Sequence, residues 1–359
     1  MQKLLVINNN STGYEEELLL AFERISDKGK TKKILASQLN FDYLVSNDVQ
    51  VIITDYLSDE WLLKLKEKNI VSIVFGKIDK YHDLADIVID HKSSDNNKYF
   101  TGSNFSLKNN PDLNFDEIVN LVSIMQWDSD FFGFPVAFVG SMHLSENIYH
   151  HIDKFLRKEK VKLVEYLCNC HDDRSVKIAE KNQFHFTDMR LTFDMSLKNK
   201  FQVSEGDFSF EQADKSTVPA LKKLTTNLYK DSRYFFDGNF DIDKINEFYS
   251  GWIEKAVKGT FDHECFCAFK GNNPVAFCSI RYNKRNTASI GLFGVSAEHS
   301  GKGLGKQLLY YVFNHLIDNG IEKMYVVTQG RNYSAQRLYQ SVGFKTTSTE
   351  LWYHKWLVE

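Results

Sequence analysis

One segment of the sequence, residues 290–316, constrains the fold more than any other because it joins an apolar run, a glycine-rich loop and a helix. The run 290–295 predicts a strand, the loop follows at 299–306, and Leu304, Leu308, Val312 and Leu316 recur at helical spacing. Glycines let a backbone approach a ligand closely, and the first N–H groups of a helix lack internal partners. With the helix dipole and the charges of Lys302 and Lys306, this order predicts a site for a phosphate-bearing anion.

Two common phosphate-binding loops do not fit this segment. A P-loop ends in Gly-Lys-Ser/Thr, whereas Gln307 follows Gly305 and Lys306 here. The dinucleotide fingerprint needs a third glycine where the chain has Lys306. An ordinary glycine-rich turn remains the alternative interpretation of the loop taken alone.

The sequence after the loop extends the pattern. A strand is predicted over 321–328, a short helix over 333–341 and a last strand over 351–356. The glycines Gly303 and Gly305, followed by this series, resemble the pyrophosphate loop and the coenzyme-closing segment of the GCN5-related N-acetyltransferases (GNAT). The positions that match the closing segment are Asn332, Ala335, Leu338, Tyr339, Gly343 and Phe344. Ser300 departs from the family, which usually has Gln or Arg there.

The resemblance implies acetyl-coenzyme A as cosubstrate. The residues it implies for coenzyme binding are Phe293, Val295, Ser300, Gly301, Lys302, Gly303, Leu304, Gly305, Lys306, Thr328 and Asn332. It assigns Tyr339 as the general acid, since a phenol with a reference pKa near 10 stays protonated and can serve a leaving thiolate. A backbone N–H at a kink in the strand would stabilise the oxyanion, and Gly294 is the expected kink.

Composition limits the class of protein. A chain of 359 residues predicts two or three domains, and a net charge of −3 argues against nucleic-acid binding through bulk charge. The sequence shows no signal peptide and no apolar run long enough to span a membrane, so a cytoplasmic protein is expected. Five cysteines without zinc-site spacing predict small buried hydrophobic residues and no metal site.

Three parts are predicted along the chain. Residues 1–110 are expected to be an α/β domain with a parallel sheet, with strands at 4–7, 49–53, 70–75 and 87–89. Helices are predicted at 15–25 and 58–67, the second capped by Ser58, and polar breaks at 93–98 and 108–112 suggest a linker. Residues 118–200 would form the first lobe of the acetyltransferase, and 205–359 a GNAT domain with a central mixed sheet flanked by helices.

The first part resembles a fragment of the nucleotide-sugar hydrolases of pseudaminic acid biosynthesis, which have a glycosyltransferase-like fold. The resemblance covers residues 48–107 and includes Asp55 and Tyr56. Those hydrolases have a histidine where this chain has Tyr56. We therefore expect a scaffolding, dimerising or vestigial role for this part rather than hydrolysis.

Residues 118–359 resemble the dTDP-fucosamine acetyltransferase branch of the GNAT superfamily. The shared features are Trp127 with Phe132 and Gly133, a Ser-Arg-aromatic loop at 232–236, and the run Trp-Ile-Glu-x-Ala-Val-x-Gly-Thr-Phe-Asp-His at 252–263. The resemblance implies a nucleotide-linked 4-amino-4,6-dideoxy sugar as acceptor and a part in lipopolysaccharide or O-antigen synthesis.

Acceptor-side roles follow from that resemblance. Asp188 stands where the relatives have a candidate base, and the residues expected to contact substrate are Trp127, Phe132, Arg233, Tyr234 and Phe235. A guanidinium suits a diphosphate, although exposed loop arginines and core aromatic residues are the simpler interpretation of these types. The sequence thus predicts an N-acetyltransferase, with a homodimer as one possibility. Another amine acceptor (a protein N-terminus, a polyamine, an antibiotic) and a non-catalytic coenzyme- or sugar-nucleotide-binding module remain as alternatives.

Overall fold

A computed structural model describes residues 2–7, 31–35, 39–46, 49–54, 58–75, 85, 87–90, 104–106, 121–140, 144–204, 206–283 and 286–357. Two compact units are present, one of Met1–His185 with Tyr353–Glu359 and the other of Phe186–Trp352. The helix predicted over 15–25, the two polar breaks, Asp55 and Tyr56 lie outside the described residues. The division into 1–110, 118–200 and 205–359 stays a prediction.

The first unit begins with a parallel sheet, as expected from its apolar runs. Its strands are β1 (Gln2–Ile7), β2 (Thr31–Leu35), β3 (Val49–Thr54), β4 (Val71–Phe75), β5 (Ile87–Asp90) and β6 (Asn104–Ser106), in the order β2-β1-β3-β4-β5-β6. Its helices are α1 (Phe41–Ser46) and α2 (Asp59–Glu67), and the Ser58 hydroxyl caps α2 by accepting from Trp61 N. Strands β3 and β4 are buried, with Ile52 and Val74 both at 0% exposure, which explains their nearly continuous apolar sequence.

The rest of the first unit alternates helices and strands. In chain order these are β7 (Ser123–Ile124), α3 (Gln126–Phe132), β8 (Val136–Val139), α4 (Glu146–Lys158), β9 (Leu163–Asn169) and α5 (Asp173–Lys181). Strand β8 pairs antiparallel with β7 and parallel with β9. Helix α4 buries Ile148, Ile152 and Leu156, one residue per turn, so its apolar stripe faces the core.

The second unit is a mixed sheet flanked by helices, which confirms the predicted fold class. Its elements are β10 (His185–Ser196), β11 (Ser209–Gln212), α6 (Val218–Thr225), α7 (Arg233–Asp237), α8 (Ile242–Val257), β12 (Glu264–Lys270), β13 (Asn273–Asn283), β14 (Thr287–Val295), α9 (Leu304–Asp318), β15 (Lys323–Gln329), α10 (Tyr333–Ser341) and β16 (Lys345–Trp356), although His185 and Tyr353–Trp356 fall in the first unit. The strand order is β11-β12-β13-β14-β15-β10-β16, and β14 and β15 are parallel. Helix α9 buries the predicted residues Leu308, Val312 and Leu316 in the core.

Two stretches of the chain have the same order of secondary-structure elements. Residues 161–197 and 321–357 each run through a strand, a turn, a helix and a long strand, and every element of the second begins and ends 160 residues after its counterpart. The paired strands β9 and β15 have 7 residues each, α5 and α10 have 9, and β10 and β16 have 12. We call these stretches the first and second repeat.

The last strands of the two repeats are exchanged. Strand β10 of the first repeat pairs antiparallel with β15 of the second, and β16 of the second repeat neighbours β9 of the first. Just past each strand, Leu197 N donates to Glu322 O at 2.8 Å and Leu357 N donates to Lys162 O at 2.9 Å. These two hydrogen bonds join corresponding positions, so each repeat is completed by a strand of the other.

Candidate active site

Strands β14 and β15 separate part of the way along their length. Their register joins Thr287, Ala288 and Ser289 to the first residues of β15, whereas β14 continues to Val295 and β15 to Gln329. A cavity of about 210 Å³ lies where the strands part, lined by residues 290–293 and 326–329. Main-chain N–H and C=O groups need partners when buried, so two diverging strands present a backbone surface suited to a ligand.

A bulge interrupts β14 at this cavity. The register with β13 shifts between Cys278 and Ile280, so Gly291 and Leu292 stand opposite Ser279 alone. A bulge bends a strand and re-aims its backbone groups. The kink that oxyanion stabilisation requires is therefore present in the strand that lines the cavity.

The kink was predicted at Gly294, and that position was wrong. Gly294 pairs regularly with Phe277. A Cβ at Gly294 would lie 2.3 Å from the Leu228 side chain and 2.7 Å from the Phe277 ring. Gly294 is thus required for close packing rather than for the bulge.

Tyr339 lies on α10 and lines the cavity, with 4% of the residue exposed. Its ring packs 6.1 Å from Phe193, 6.3 Å from Phe293 and 5.8 Å from Phe344, measured between ring centroids. Burial raises the pKa of Tyr339 well above its ordinary value near 10. The phenol is therefore protonated at neutral pH, as the role of general acid demands.

The glycine loop ends at the start of α9. Gly301 and Gly303 have φ values of 74° and 84°, in the left-handed region that favours glycine. Gly303 is the N-cap of α9 and has no side chain that could cap the helix. The first N–H groups of α9, next to Lys302 and Lys306, are therefore arranged as an anion site requires.

Gly305 explains how the start of α9 packs on β14. A Cβ at Gly305 would lie 3.2 Å from the Phe293 ring, 3.3 Å from Leu338 and 3.4 Å from Val295. These distances are tighter than ordinary contacts, so a larger residue would push the helix away from the strand. The loop residues 300–306 and Val295 do not line the described cavity, and their coenzyme contacts stay predictions.

The segment after β15 brings the remaining coenzyme candidates to the cavity. Asn332 is the N-cap of α10, and its Oδ1 accepts from Ala335 N at 3.0 Å. Asn332, Ala335 and the buried Thr328 all line the cavity, as does Phe293. The spacing of Asn332 and Ala335 thus reflects a capping hydrogen bond that fixes the start of the helix bearing Tyr339.

Asp188 lies on β10 and lines the same cavity, although it is only 1% exposed. Its Oδ1 accepts from Met189 N at 2.8 Å and lies 3.1 Å from an Nη of Arg331. Its Oδ2 is buried without a hydrogen-bond partner among the described residues. Burial raises the pKa of Asp188 to about 6, although the Arg331 charge opposes the rise.

Arg233 is the member of the predicted substrate loop that lines the cavity. Its guanidinium lies 4.2 Å from the Trp352 ring and 4.3 Å from the Tyr234 ring, and Nη2 donates to the Tyr234 hydroxyl at 2.7 Å. Tyr234 is buried and holds Arg233 in place, and Phe235 is not among the lining residues. A cation stacked between two rings keeps its charge while it is held in one orientation.

Trp127 and Phe132 lie on α3 in the first unit. They belong to a series of aromatic contacts, in which Phe131 lies 6.1 Å from Trp127 and 5.1 Å from Phe132, and Phe132 stacks on Phe134 at 5.9 Å. Neither residue lines the described cavity. Their substrate contact stays a prediction.

The lining residues that were not anticipated as site residues from the sequence include Tyr229, Tyr249 and Trp252, here called the aromatic wall. The Tyr229 and Tyr249 rings stack at 4.3 Å, and the Tyr249 and Trp252 rings at 6.3 Å with an interplanar angle of 9°. Residues three apart on a helix share a face, so the spacing of Tyr249 and Trp252 on α8 was an available signal.

The residues present fit acetyl-coenzyme A. The diverging strands, the bulge and the glycine-started helix supply backbone donors, and Tyr339 supplies a proton donor. Within the described ranges, no group of three or more His, Cys, Asp or Glu residues could hold a metal ion, and no helix could span a membrane. Cys265, Cys267 and Cys278 are free thiols buried in the sheet.

Comparisons with known proteins agree with this geometry. Residues 226–344 match the model of the acetyltransferase (GNAT) family. A dTDP-fucosamine acetyltransferase of Escherichia coli O6:H1 is 30% identical over 144 residues, which cover 40% of this chain and 61% of that protein. A mycothiol acetyltransferase of Saccharomonospora viridis is 32% identical over 73 residues, 20% of this chain and 24% of that protein.

The chain therefore spans about three-fifths or less of the length of these curated relatives. Among solved structures, a GCN5-related N-acetyltransferase from Sphaerobacter thermophilus has a TM-score of 0.48 and 11% identity, covering 66% of this chain and 76% of its own. At that distance the structural likeness carries no argument, and the conclusion depends on the family match and the site. Residues 226–344 are therefore the part of the chain that is similar to the GNAT acetyltransferases.

Proposed function

We propose that this protein is an N-acetyltransferase that transfers the acetyl group of acetyl-coenzyme A to the amino group of a nucleotide-linked 4-amino-4,6-dideoxy sugar. The observation that carries the proposal is that Tyr339 and Asp188 line one cavity from different elements, beside the bulged backbone of β14. The similarity to a dTDP-fucosamine acetyltransferase supports the acceptor class, with dTDP or UDP as the carrier.

The reaction is a direct attack in a ternary complex. The amine nitrogen forms a bond to the thioester carbon, the carbonyl oxygen becomes an oxyanion, and the carbon–sulfur bond then breaks. Backbone N–H donors at the β14 bulge stabilise the oxyanion. Tyr339 gives its proton to the leaving thiolate, and the proton lost by the nitrogen goes to Asp188, directly or through one water.

Asp188 suits the role of base because of where it is buried. A carboxyl whose pKa is about 6 is mostly ionised at neutral pH and is still a better proton acceptor than an exposed aspartate. Its buried Oδ2, unpartnered among the described residues, is the atom that receives the proton. Arg233, held between two rings, binds the diphosphate of the acceptor.

The remaining parts complete the proposal. The backbone of residues 300–306 holds the coenzyme pyrophosphate, and Trp127 and Phe132 border the acceptor. The protein acts in the cytoplasm, in the synthesis of lipopolysaccharide or O-antigen. Residues 1–110 serve as a scaffold or a dimerisation surface.

A coenzyme-release assay tests the proposal. The purified protein is given acetyl-coenzyme A and, one at a time, dTDP- and UDP-linked 4-amino sugars, a polyamine and a peptide with a free N-terminus. We expect release with the 4-amino sugar nucleotides and none with the other amines. Turnover with the polyamine or peptide alone would replace the acceptor class, and absence of acetyl-coenzyme A binding by calorimetry would overturn the enzymatic proposal and leave a non-catalytic module.

A further inference from the structure

Asp262 is a buried carboxylate next to the candidate site, and the mechanism above gives it no role. It is 1% exposed and lies just before β12, at the end of the Trp-to-His run of residues 252–263. Its carboxylate accepts from three donors: Trp252 Nε1 at 3.1 Å, Ser279 Oγ at 2.6 Å and Arg281 Nη2 at 2.9 Å. Two of these donors lead to the cavity.

The first connection runs through Ser279 to the bulge. Because the Ser279 hydroxyl gives its one hydrogen to Asp262, its lone pairs are left to accept, and Leu292 N donates to it at 2.7 Å. Successive N–H groups of a strand point to opposite sides, so the N–H of Phe293 faces the side on which β14 and β15 part. Asp262 thereby holds the bulge that aims this N–H into the gap.

Gly291 shows how close the carboxylate comes to β14. A Cβ on Gly291 would lie 2.2 Å from Oδ2 of Asp262 and 2.6 Å from its Cγ. No side chain larger than hydrogen fits between the strand and the carboxylate. The glycine at this bulge therefore makes room for Asp262.

The second connection runs through Trp252 to the aromatic wall. The indole N–H is bonded to Asp262, and the indole ring stacks on Tyr249, which stacks on Tyr229. All three rings line the cavity. Trp252 and Asp262, the first and the last but one residue of the Trp-to-His run, are thus hydrogen-bonded to each other.

We propose that Asp262 is a positioning residue. It fixes the distance between two parts of the cavity: the backbone of β14, which faces the acyl group, and the aromatic wall, which faces the acceptor. The inference deepens the proposed function and rests on it for its kinetic consequences. Asp262 itself acts through Ser279 and Trp252 and donates no proton to the reaction.

A matched control exists in the first unit. Ser175 donates to Asp172 Oδ2 at 2.5 Å and accepts from Leu144 N at 2.7 Å. This is the same carboxylate–serine–backbone chain, and Ser175 and Ser279 are both 0% exposed. Neither Ser175 nor Asp172 lines the cavity.

The test compares Ser279→Ala, Trp252→Phe, Asp262→Asn and Ser175→Ala by kinetics and acetyl-coenzyme A affinity. We expect Ser279→Ala to lower kcat about tenfold or more, since the oxyanion donor loses its fixed aim. Trp252→Phe should raise the KM of the acceptor, and both variants should keep the wild-type affinity for acetyl-coenzyme A. Asp262→Asn should both lower kcat and raise the KM of the acceptor. The double variant Asp262→Asn/Ser279→Ala should have a kcat little lower than that of Ser279→Ala alone. Ser175→Ala should keep wild-type kcat.

Hydrogen exchange gives a readout that does not need turnover. Ser279→Ala should speed exchange of the amides in a peptide covering residues 290–295 about tenfold or more, and Ser175→Ala should leave that peptide unchanged. Equal kcat losses in Ser279→Ala and Ser175→Ala, or unchanged exchange in 290–295, would overturn the proposal. If the wild-type protein released no coenzyme, the proposed function would fail, and the exchange result would still decide the role of Asp262. If Asp262→Asn does not fold, the variants of its two donors, Ser279→Ala and Trp252→Phe, decide the role of Asp262.

Discussion

The first and second repeats have the same order and lengths of elements, but the helices that precede them, α4 and α9, differ in chemistry. Helix α9, before the second repeat, begins after Gly303, with Lys306 in its first turn, and no side chain caps its N-terminal N–H groups. Helix α4, before the first repeat, is capped by its own Ser145, which accepts from Ile148 N at 3.1 Å, and Glu146 occupies its first turn. We therefore expect the start of α9 to suit a pyrophosphate and the start of α4 to repel one.

The difference extends to the helix inside each repeat, α5 in the first and α10 in the second. Position 339 is tyrosine in the second repeat, and the corresponding position 179 in the first is alanine. The capping positions differ too, with Asp172 for Asn332. Although the two repeats share a fold, we therefore expect only the second to contribute to a donor site, because function depends on the residues placed on the fold. The first repeat contributes its exchanged strand β10 instead, which brings Asp188 to the cavity.

Removing the acid of the second repeat should have the largest effect. Tyr339→Phe keeps the buried ring and loses the proton donor, so we expect kcat to fall by about 10²–10⁴-fold with unchanged affinity for acetyl-coenzyme A. Tyr333→Phe, an exposed tyrosine on the same helix, is the control and should retain full activity. A Tyr339→Phe enzyme with wild-type kcat would remove the main distinction between the repeats.

Asp188 tests what the first repeat contributes. Asp188→Asn should lower kcat about 10²-fold, because the amide cannot accept the proton. Since the carboxylate is the active form and its pKa is about 6, wild-type kcat should fall as pH drops below 6. Arg331→Gln should shift this acid limb to higher pH, because the Arg331 charge lowers the pKa of Asp188. A pH profile with the same acid limb in Arg331→Gln would exclude Asp188 as the titrating group.

Exchanging the first-turn charges tests the helix comparison. Lys306→Glu gives α9 the acidic first turn of α4 and should weaken acetyl-coenzyme A binding about tenfold, or ~1.4 kcal/mol. The reverse change, Glu146→Lys, should leave that affinity unchanged, because Ser145 still caps α4 and the exposed Glu146–Lys181 ion pair contributes little. Calorimetry measures both. Weaker binding in Glu146→Lys would mean that α4 takes part in coenzyme binding.

The smallest effect is expected from the cap of α4. Ser145→Ala removes the hydroxyl that caps α4 and should lower the free energy of unfolding by ~1 kcal/mol. Coenzyme affinity and kcat should not change. Thermal unfolding monitored beside the kinetics checks this, and a loss of affinity would contradict the separation of the two helices.

Much of the donor site could be predicted from the sequence because it is local. Gly303, Gly305, Asn332 and Tyr339 act within one loop and one helix, and their spacing is set by helix starts and caps. The kink was misplaced at Gly294 because a strand glycine can serve a bulge or close packing, and only the Phe277 and Leu228 contacts distinguish the two. The repeat was not recognised, since 161–197 and 321–357 share identical residues at few positions, such as Phe184 with Phe344 and Thr187 with Thr347.

The sequence by itself determined the likeness to the GNAT family and predicted the donor: a glycine-started helix and a capped helix bearing Tyr339 are short-range patterns that backbone geometry enforces. Only the tertiary structure decided the acceptor side. Asp188 meets Arg331 across 143 residues of sequence through the exchange of β10, and Asp262 meets Ser279 through the pairing of β12 and β13. Such pairs depend on strand order and register, which no local spacing specifies.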